Sequence, residues 1–395
     1  MRPLCERVAN VLFVLLCFVH ASAEQPPVLL VSFDGFRADY LDAIATPNFI
    51  KFGRQGVRAK ALVPPFPSDT FPSHYSMVTG HHPDEHGIVA NVFRDPESGD
   101  WFNFQDATSI SSQKWWQIEP IWVTARRQGF RTATCFWPGS GVEIAGLRPN
   151  YWLPYDSNLP TDARIEQVIA WLQLPESQRP HFLTLYFSLV DKAGHEFGPA
   201  SPQVREQIHL ADQAVGSLMA RLPNVDRINV IIVSDHGMAQ LMPQKIIALS
   251  ERLTESEAES LSKSDLAEDE QDRLLEKLQG LPHVRFYKRR ELPRRLRYGA
   301  NARIPSLVPI LEEGATILWK KEDWDRFPMR GNHGYDNKHK SMHGIFLARG
   351  PSFRAKGTVG EISNINVYNV VSKVLGMQPL PNKGDPSVVT GIVGP

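Results

Sequence analysis

Five near-continuous apolar runs punctuate the chain: Val28–Phe33, Thr132–Phe136, Phe182–Ser188, Asn229–Ser234 and Gly344–Ala348. Short runs of this kind, rich in Val, Ile, Leu and Phe, predict strands covered on both faces. Between them, apolar positions recur at helical spacing over Asp162–Leu172 and Ser201–Leu222. Buried strands alternating with amphipathic helices predict an α/β fold, with a mostly parallel central sheet and helices on both faces. No segment repeats at a fixed period.

One region breaks this pattern. Ser250–Gly280 is rich in Glu, Asp, Leu and Lys and reads as a solvated helical stretch. Leu281–Tyr298 is strongly basic, with Arg285, Lys288, Arg289, Arg290, Arg294, Arg295 and Arg297. Together they predict a small inserted cap subdomain, residues 244–305, after the strand that ends at Ser234. The basic run is read as cap surface balanced by its own acidic stretch, in preference to an anion-attracting face, because charge blocks are usually solvated.

The start of the chain carries a different signal. Arg2 and Arg7 precede an apolar run, Val11–Val19, followed by Ala21-Ser22-Ala23. This is the pattern of a signal peptide over residues 1–23. The run is short for a membrane span, so an exported chain, periplasmic or extracellular, without stable membrane insertion is expected. Of three cysteines, Cys5 and Cys17 lie in that segment, which leaves Cys135 alone in an apolar stretch as a buried thiol. The 395 residues carry 43 basic and 43 acidic side chains. A net charge of zero gives no reason to expect nucleic acid as a dedicated partner, so phosphate binding must come from a local site.

Three of the apolar runs lead into acidic residues: Asp34-Gly35, Asp191, and Asp235-His236-Gly237. In open α/β sheets ligands bind beyond the carboxyl ends of strands. Carboxylates gathered there repel one another unless a cation joins them. Asp191 and His195 are four residues apart, on one face of a helical turn. His333 lies in a Gly331–Asn337 loop suited to delivering a ligand. Mixed Asp and His donors suit zinc better than calcium or magnesium, and this many donors suit two metals. The Pro-rich segment around Thr70 ends in Thr70-Phe71-Pro72, with Pro72 expected in the first turn of a helix and Thr70 just before it. A hydroxyl there is either a helix cap or, beside metal ligands, a nucleophile.

These motifs resemble the nucleotide pyrophosphatase/phosphodiesterase family of the alkaline phosphatase superfamily. The matching runs are Ser32-Phe33-Asp34-Gly35, Thr70-Phe71-Pro72, His86–Asn91, Asp191–His195, Val233–Met238 and His333–Asn337, in family order. The resemblance is closest to compact secreted bacterial members, and makes residues 24–395 one phosphodiesterase domain. It implies one zinc held by Asp34, Asp235, His236 and Thr70, and a second held by Asp191, His195 and His333. It implies Thr70 as nucleophile and Asn91 as donor to a phosphate oxygen beside the Phe71 amide. It also implies Phe71, Tyr155 and Tyr186 as contacts for a nucleobase or other leaving group. The implied substrates are nucleotides and other small phosphodiesters. Phosphate monoesters or lysophospholipid and choline-phosphate esters remain alternatives within the same chemistry, as does a metal-binding protein without activity. The absence of arginine from the Thr70 segment and from beside Asn91 favours diesters, because monoesters carry an extra charge to clamp. A sulfatase would need Cys or Ser where Thr70 stands.

Overall fold

The computed structural model describes residues 25–354 and 357–394. The expected signal segment, residues 1–23, lies outside the described residues. The central sheet has eight strands: β1 (Val28–Phe33), β2 (Val57–Ala59), β3 (Thr132–Cys135), β4 (Tyr151–Leu153), β5 (Phe182–Phe187), β6 (Asn229–Val233), β7 (Phe346–Arg349) and β8 (Gly357–Val359). Their spatial order is β8-β2-β7-β6-β1-β5-β3-β4. From β6 to β4 all neighbours are parallel. β7 runs antiparallel to both β6 and β2.

The apolar runs are continuous because both faces of the sheet are buried. On β1, Val28 and Leu30 enter one core, while Leu29, Val31 and Phe33 enter the other. On β6, Ile231 and Val233 part from Val230 and Ile232 in the same way. This is the two-residue period of a strand, hidden in composition because both sets are apolar. One core is closed by α2 (Thr70–Thr79) and α6 (Asn366–Leu375). The other is closed by α1 (Pro47–Arg54), α3 (Thr161–Leu172), α4 (Leu189–Phe197) and α5 (Pro202–Arg221). Ser201 caps α5 by accepting the Val204 amide at 3.2 Å.

The expected strands are present with small corrections. Phe136 takes φ 67° and so leaves β3 after Cys135. Ser188 and Ser234 fall just past their strands, Ser188 as the residue that starts α4. Gly344 bridges Arg37 and Leu62 before β7 begins at Phe346. Cys135 is a buried free thiol, as expected.

The inserted region has its own small core, built from Ile247, Leu253, Leu266, Leu274, Leu278, Leu281, Leu307 and Ala315. It extends past the expected limit at residue 305. Strand 246–248 pairs with 316–318, and strand 284–288 pairs with 307–311, so a unit ending at 305 would omit both partners. Of the basic run, Lys288 pairs with Glu268 at 2.5 Å and Asp272 at 2.7 Å, both on the acidic helix Glu268–Leu278.

Candidate active site and metal centre

The three expected carboxylates come from neighbouring strands. Asp34 follows β1, Asp191 lies in the first turn of α4 after β5, and Asp235 follows β6. Gly35 allows them to meet: its φ is 68°, and a Cβ there would lie 2.8 Å from Asp191 Cα. Its amide donates to Asp235 Oδ1 at 3.2 Å, and the Asp191 amide donates to the Asp34 carbonyl at 3.1 Å. Asp34 and Asp235 are each 1 % exposed. Burial, then the charges of Asp235 and Asp191, push the Asp34 carboxyl well above the usual range. Burial acts the same way on Asp235, but His236 and His74 outweigh it and hold that carboxyl low.

The three expected histidines share one orientation. The Nδ1 of His236 lies 2.8 Å from the Gly237 carbonyl, that of His195 3.0 Å from the Gly331 carbonyl, and that of His333 3.0 Å from the Ser68 carbonyl. A carbonyl can only accept, so each Nδ1 carries a hydrogen; in the neutral rings of His195 and His236, whose pKa burial lowers, Nε2 is then a lone pair. Those Nε2 atoms face the carboxylates. His195 Nε2 is 3.4 Å and His333 Nε2 is 3.8 Å from Asp191 Oδ1, and the two Nε2 atoms are 3.1 Å apart. His236 Nε2 is 3.1 Å from Asp235 Oδ2 and 3.5 Å from Asp34 Oδ1.

Thr70 lies beside the His236 group, its Oγ1 3.1 Å from His236 Nε2. It is the first residue of α2, with Asp69 as the cap position, so the helix starts one residue earlier than expected and Pro72 lies within its first turn. Asp69 turns outward to His333 Nδ1 at 3.1 Å. Asn91 Oδ1 accepts the Phe71 amide at 2.9 Å. That amide is thereby occupied, and the Asn91 NH2 is the group turned away from it. Phe71 packs edge-on against Phe102 and Phe104. The Tyr186 hydroxyl donates to Asp34 Oδ2 at 2.6 Å, so this side chain orients a carboxylate. Tyr155 is 53 % exposed and lies 6.2 Å from Tyr186 ring to ring.

His74 escaped the sequence reading. It is fully buried, with Nε2 2.8 Å from Ser32 Oγ and Nδ1 2.9 Å from the Thr70 carbonyl and 3.3 Å from Asp235 Oδ2. With both nitrogens engaged, it ties β1, α2 and Asp235 together rather than offering a lone pair. The available signal was its place one helical turn after Thr70.

The donor set fits divalent cations. Asp34 Oδ1, Asp191 Oδ1 and Asp235 Oδ2 are buried and accept no hydrogen bond. Asp191, His195 and His333 converge as one group, and Asp34 and Asp191 converge with His236. Buried carboxylate oxygens facing histidine lone pairs, without donors between them, need cations to join them.

A mostly parallel sheet gathering Asp and His side chains around a helix-terminal hydroxyl at its carboxyl edge defines an alkaline phosphatase-like protein. Within that superfamily the chain belongs to the type I phosphodiesterase/nucleotide pyrophosphatase family, whose pattern matches residues 28–336. It is 36 % identical over 392 residues to ectonucleotide pyrophosphatase/phosphodiesterase family member 3 of Bos taurus, covering 91 % of this chain and 43 % of that one. It is 34 % identical to a venom phosphodiesterase of Naja atra, over 91 % of this chain and 45 % of that one. The chain thus spans less than half the length of these relatives. Murine ectonucleotide pyrophosphatase/phosphodiesterase 5 superposes with a TM-score of 0.87 at 33 % identity, over 93 % of this chain and all of that one. An inactive threonine-to-alanine form of that murine protein has been solved in complex with AMP. The expected family and fold are borne out. Among the described residues, no helix is long and apolar enough to cross a membrane.

Proposed function

We propose that this chain is an exported enzyme that hydrolyses phosphodiester and pyrophosphate bonds of nucleotides to nucleoside 5′-monophosphates, with Thr70 as nucleophile and two zinc ions as cofactors. The observation that carries the reading is the Thr70 hydroxyl at the start of α2, 3.1 Å from His236 Nε2, which itself faces the buried Asp34 and Asp235 oxygens. Asp34, Asp235 and His236 would hold one ion with Thr70, and Asp191, His195 and His333 the other. When bound, the ions supply Lewis acidity that lowers the hydroxyl pKa and neutralises phosphate charge.

The protein's own groups do the positioning. Thr70 Oγ1 gives up its proton to solvent and bonds to phosphorus as the ester oxygen of the leaving group departs; water then breaks the Oγ1–phosphorus bond of the phosphothreonine and restores the hydroxyl. The start of α2 favours the anion by its dipole. The free NH2 of Asn91 donates to a phosphoryl oxygen, held in that orientation by the Phe71 amide on its Oδ1. Tyr186 keeps Asp34 facing the centre. The exposed Tyr155 and the half-buried Phe71 offer ring surface for a nucleobase or other leaving group.

Two findings support a nucleotide diester as substrate: the AMP complex of the murine relative, and the absence of arginine from residues 64–75 around Thr70 and from the positions next to Asn91. The test is a comparison of a nitrophenyl nucleotide diester with nitrophenyl phosphate. The diester is expected to turn over much faster, and a preference for the monoester would overturn the assignment.

A further inference from the structure

The return segment of the inserted region does more than close its own small core. Arg303 projects into the main body, where it is 6 % exposed. Its Nε donates to Asp95 Oδ2 at 2.9 Å, and one terminal nitrogen donates to the Gly87 carbonyl at 3.0 Å and the Trp115 carbonyl at 3.2 Å. The other donates to the Lys114 carbonyl at 3.0 Å. The guanidinium also lies 5.3 Å from the Trp115 ring centroid and 5.6 Å from that of Phe93. A buried arginine with every contact matched is costly to replace, and the lysine ammonium cannot reproduce its planar fork.

The anchor points bracket one residue. Gly87 lies four positions before Asn91 and Asp95 four positions after it. Between them, the Tyr298 hydroxyl donates to the Val89 carbonyl at 3.0 Å. Upstream, Asp84 Oδ1 accepts the amides of Gly299, Ala300 and Asn301 at 3.2, 2.8 and 2.7 Å. The Asn301 side chain returns a bond to the Asp84 carbonyl at 3.1 Å. Segment 298–303 therefore grips 84–95 at four points along its length, and Asn91 is its central functional group.

We propose that Arg303, with Tyr298, is a positioning residue for Asn91, so that the insert sets the geometry of the phosphate-binding amide. The proposal rests on the role given to Asn91 above. A misplacement of about 1 Å at such a group costs up to about a hundredfold in rate. The test is a double-mutant cycle on the full chain with a nitrophenyl nucleotide diester, with melting temperature followed in parallel. Arg303→Lys is expected to lower kcat by about ten- to a hundredfold with KM little changed. In an Asn91→Ala background, the same substitution should lower kcat by less than about twofold, because coupled residues are not additive. Tyr298→Phe removes only the hydroxyl on Val89 and serves if the lysine variant does not fold. Its smaller loss should likewise vanish without Asn91. Equal losses in both backgrounds would overturn the positioning role while leaving Asn91 in place. An Asn91→Ala protein with undiminished kcat would instead remove the role of Asn91 itself.

Discussion

The edge where β6, β1 and β5 end and the inserted region at 246–318 are both dense in charge, yet they resolve it in opposite ways. In the insert, Lys288 meets Glu268 and Asp272, and Glu257 meets Lys277 at 2.7 Å and also Arg273. Every one of these carboxylates has a cationic side chain beside it. At the strand ends, Asp34, Asp191 and Asp235 keep buried oxygens without a donor, facing histidines whose hydrogens point the other way. These insert carboxylates have cations of the protein's own beside them; the strand-end carboxylates await cations from outside the chain. That contrast, more than the number of charges, separates a surface from a site.

The sharpest way to break the comparison is at Thr70. Thr70→Ala should lower turnover by several powers of ten without loss of metal content, measured by single-turnover kinetics and metal analysis. Near-normal turnover would reduce Thr70 to a first-turn residue of α2 with no part in the chemistry. A glycine pair tests the same contrast structurally. Gly35→Ala must place a Cβ 2.8 Å from the Asp191 backbone at φ 68°, with an expected cost of about 2–4 kcal/mol and weakened metal binding. Gly280, in the insert, has φ 77° but open space around it. Gly280→Ala should therefore cost only about 1 kcal/mol in denaturant unfolding, with metal affinity unchanged.

Removing one like charge should have opposite signs in the two states of the site. A carboxyl whose folded pKa is raised, as burial and then Asp235 and Asp191 raise Asp34, contributes stability at low pH that is lost as pH rises. Above that window Asp34→Asn should melt a few degrees higher than the wild type when both are metal-free. With zinc added it should melt lower. The same sign in both conditions would argue against a cation site. The smallest effect belongs to the insert. Lys277, followed by the Thr254 amide, pulls the Glu257 carboxyl down to about 2. Its stabilising contribution is present above the ordinary glutamate pKa and disappears as pH falls from about 4.3 toward 2. Glu257→Gln should slightly lower the melting temperature at neutral pH and not below that window.

Burial on both faces made β1 and β6 legible from composition alone, and the acidic residues after them marked the site. Strand direction leaves no trace in periodicity, so the antiparallel course of β7 appears only in the fold. The insert's limit was missed because its closing strands, 307–311 and 316–318, are short and partly exposed. His74 was missed because its partners, Ser32 and Asp235, are distant in sequence. Thr70 was legible as a helix-terminal hydroxyl, but its nearness to His236 is a tertiary fact. Arg303 lies beyond the basic run of 281–298 and carries no local signal, since its partners Asp95, Gly87 and Trp115 are distant in sequence.

The most direct measurement is add-back of zinc to metal-stripped protein, with bound ion and cleavage of a nitrophenyl nucleotide diester followed together. The account predicts negligible turnover without metal and full turnover at two ions per chain. It further predicts the same two ions on Thr70→Ala with no turnover. Full turnover by ion-free protein, or saturation without bound zinc, would contradict it.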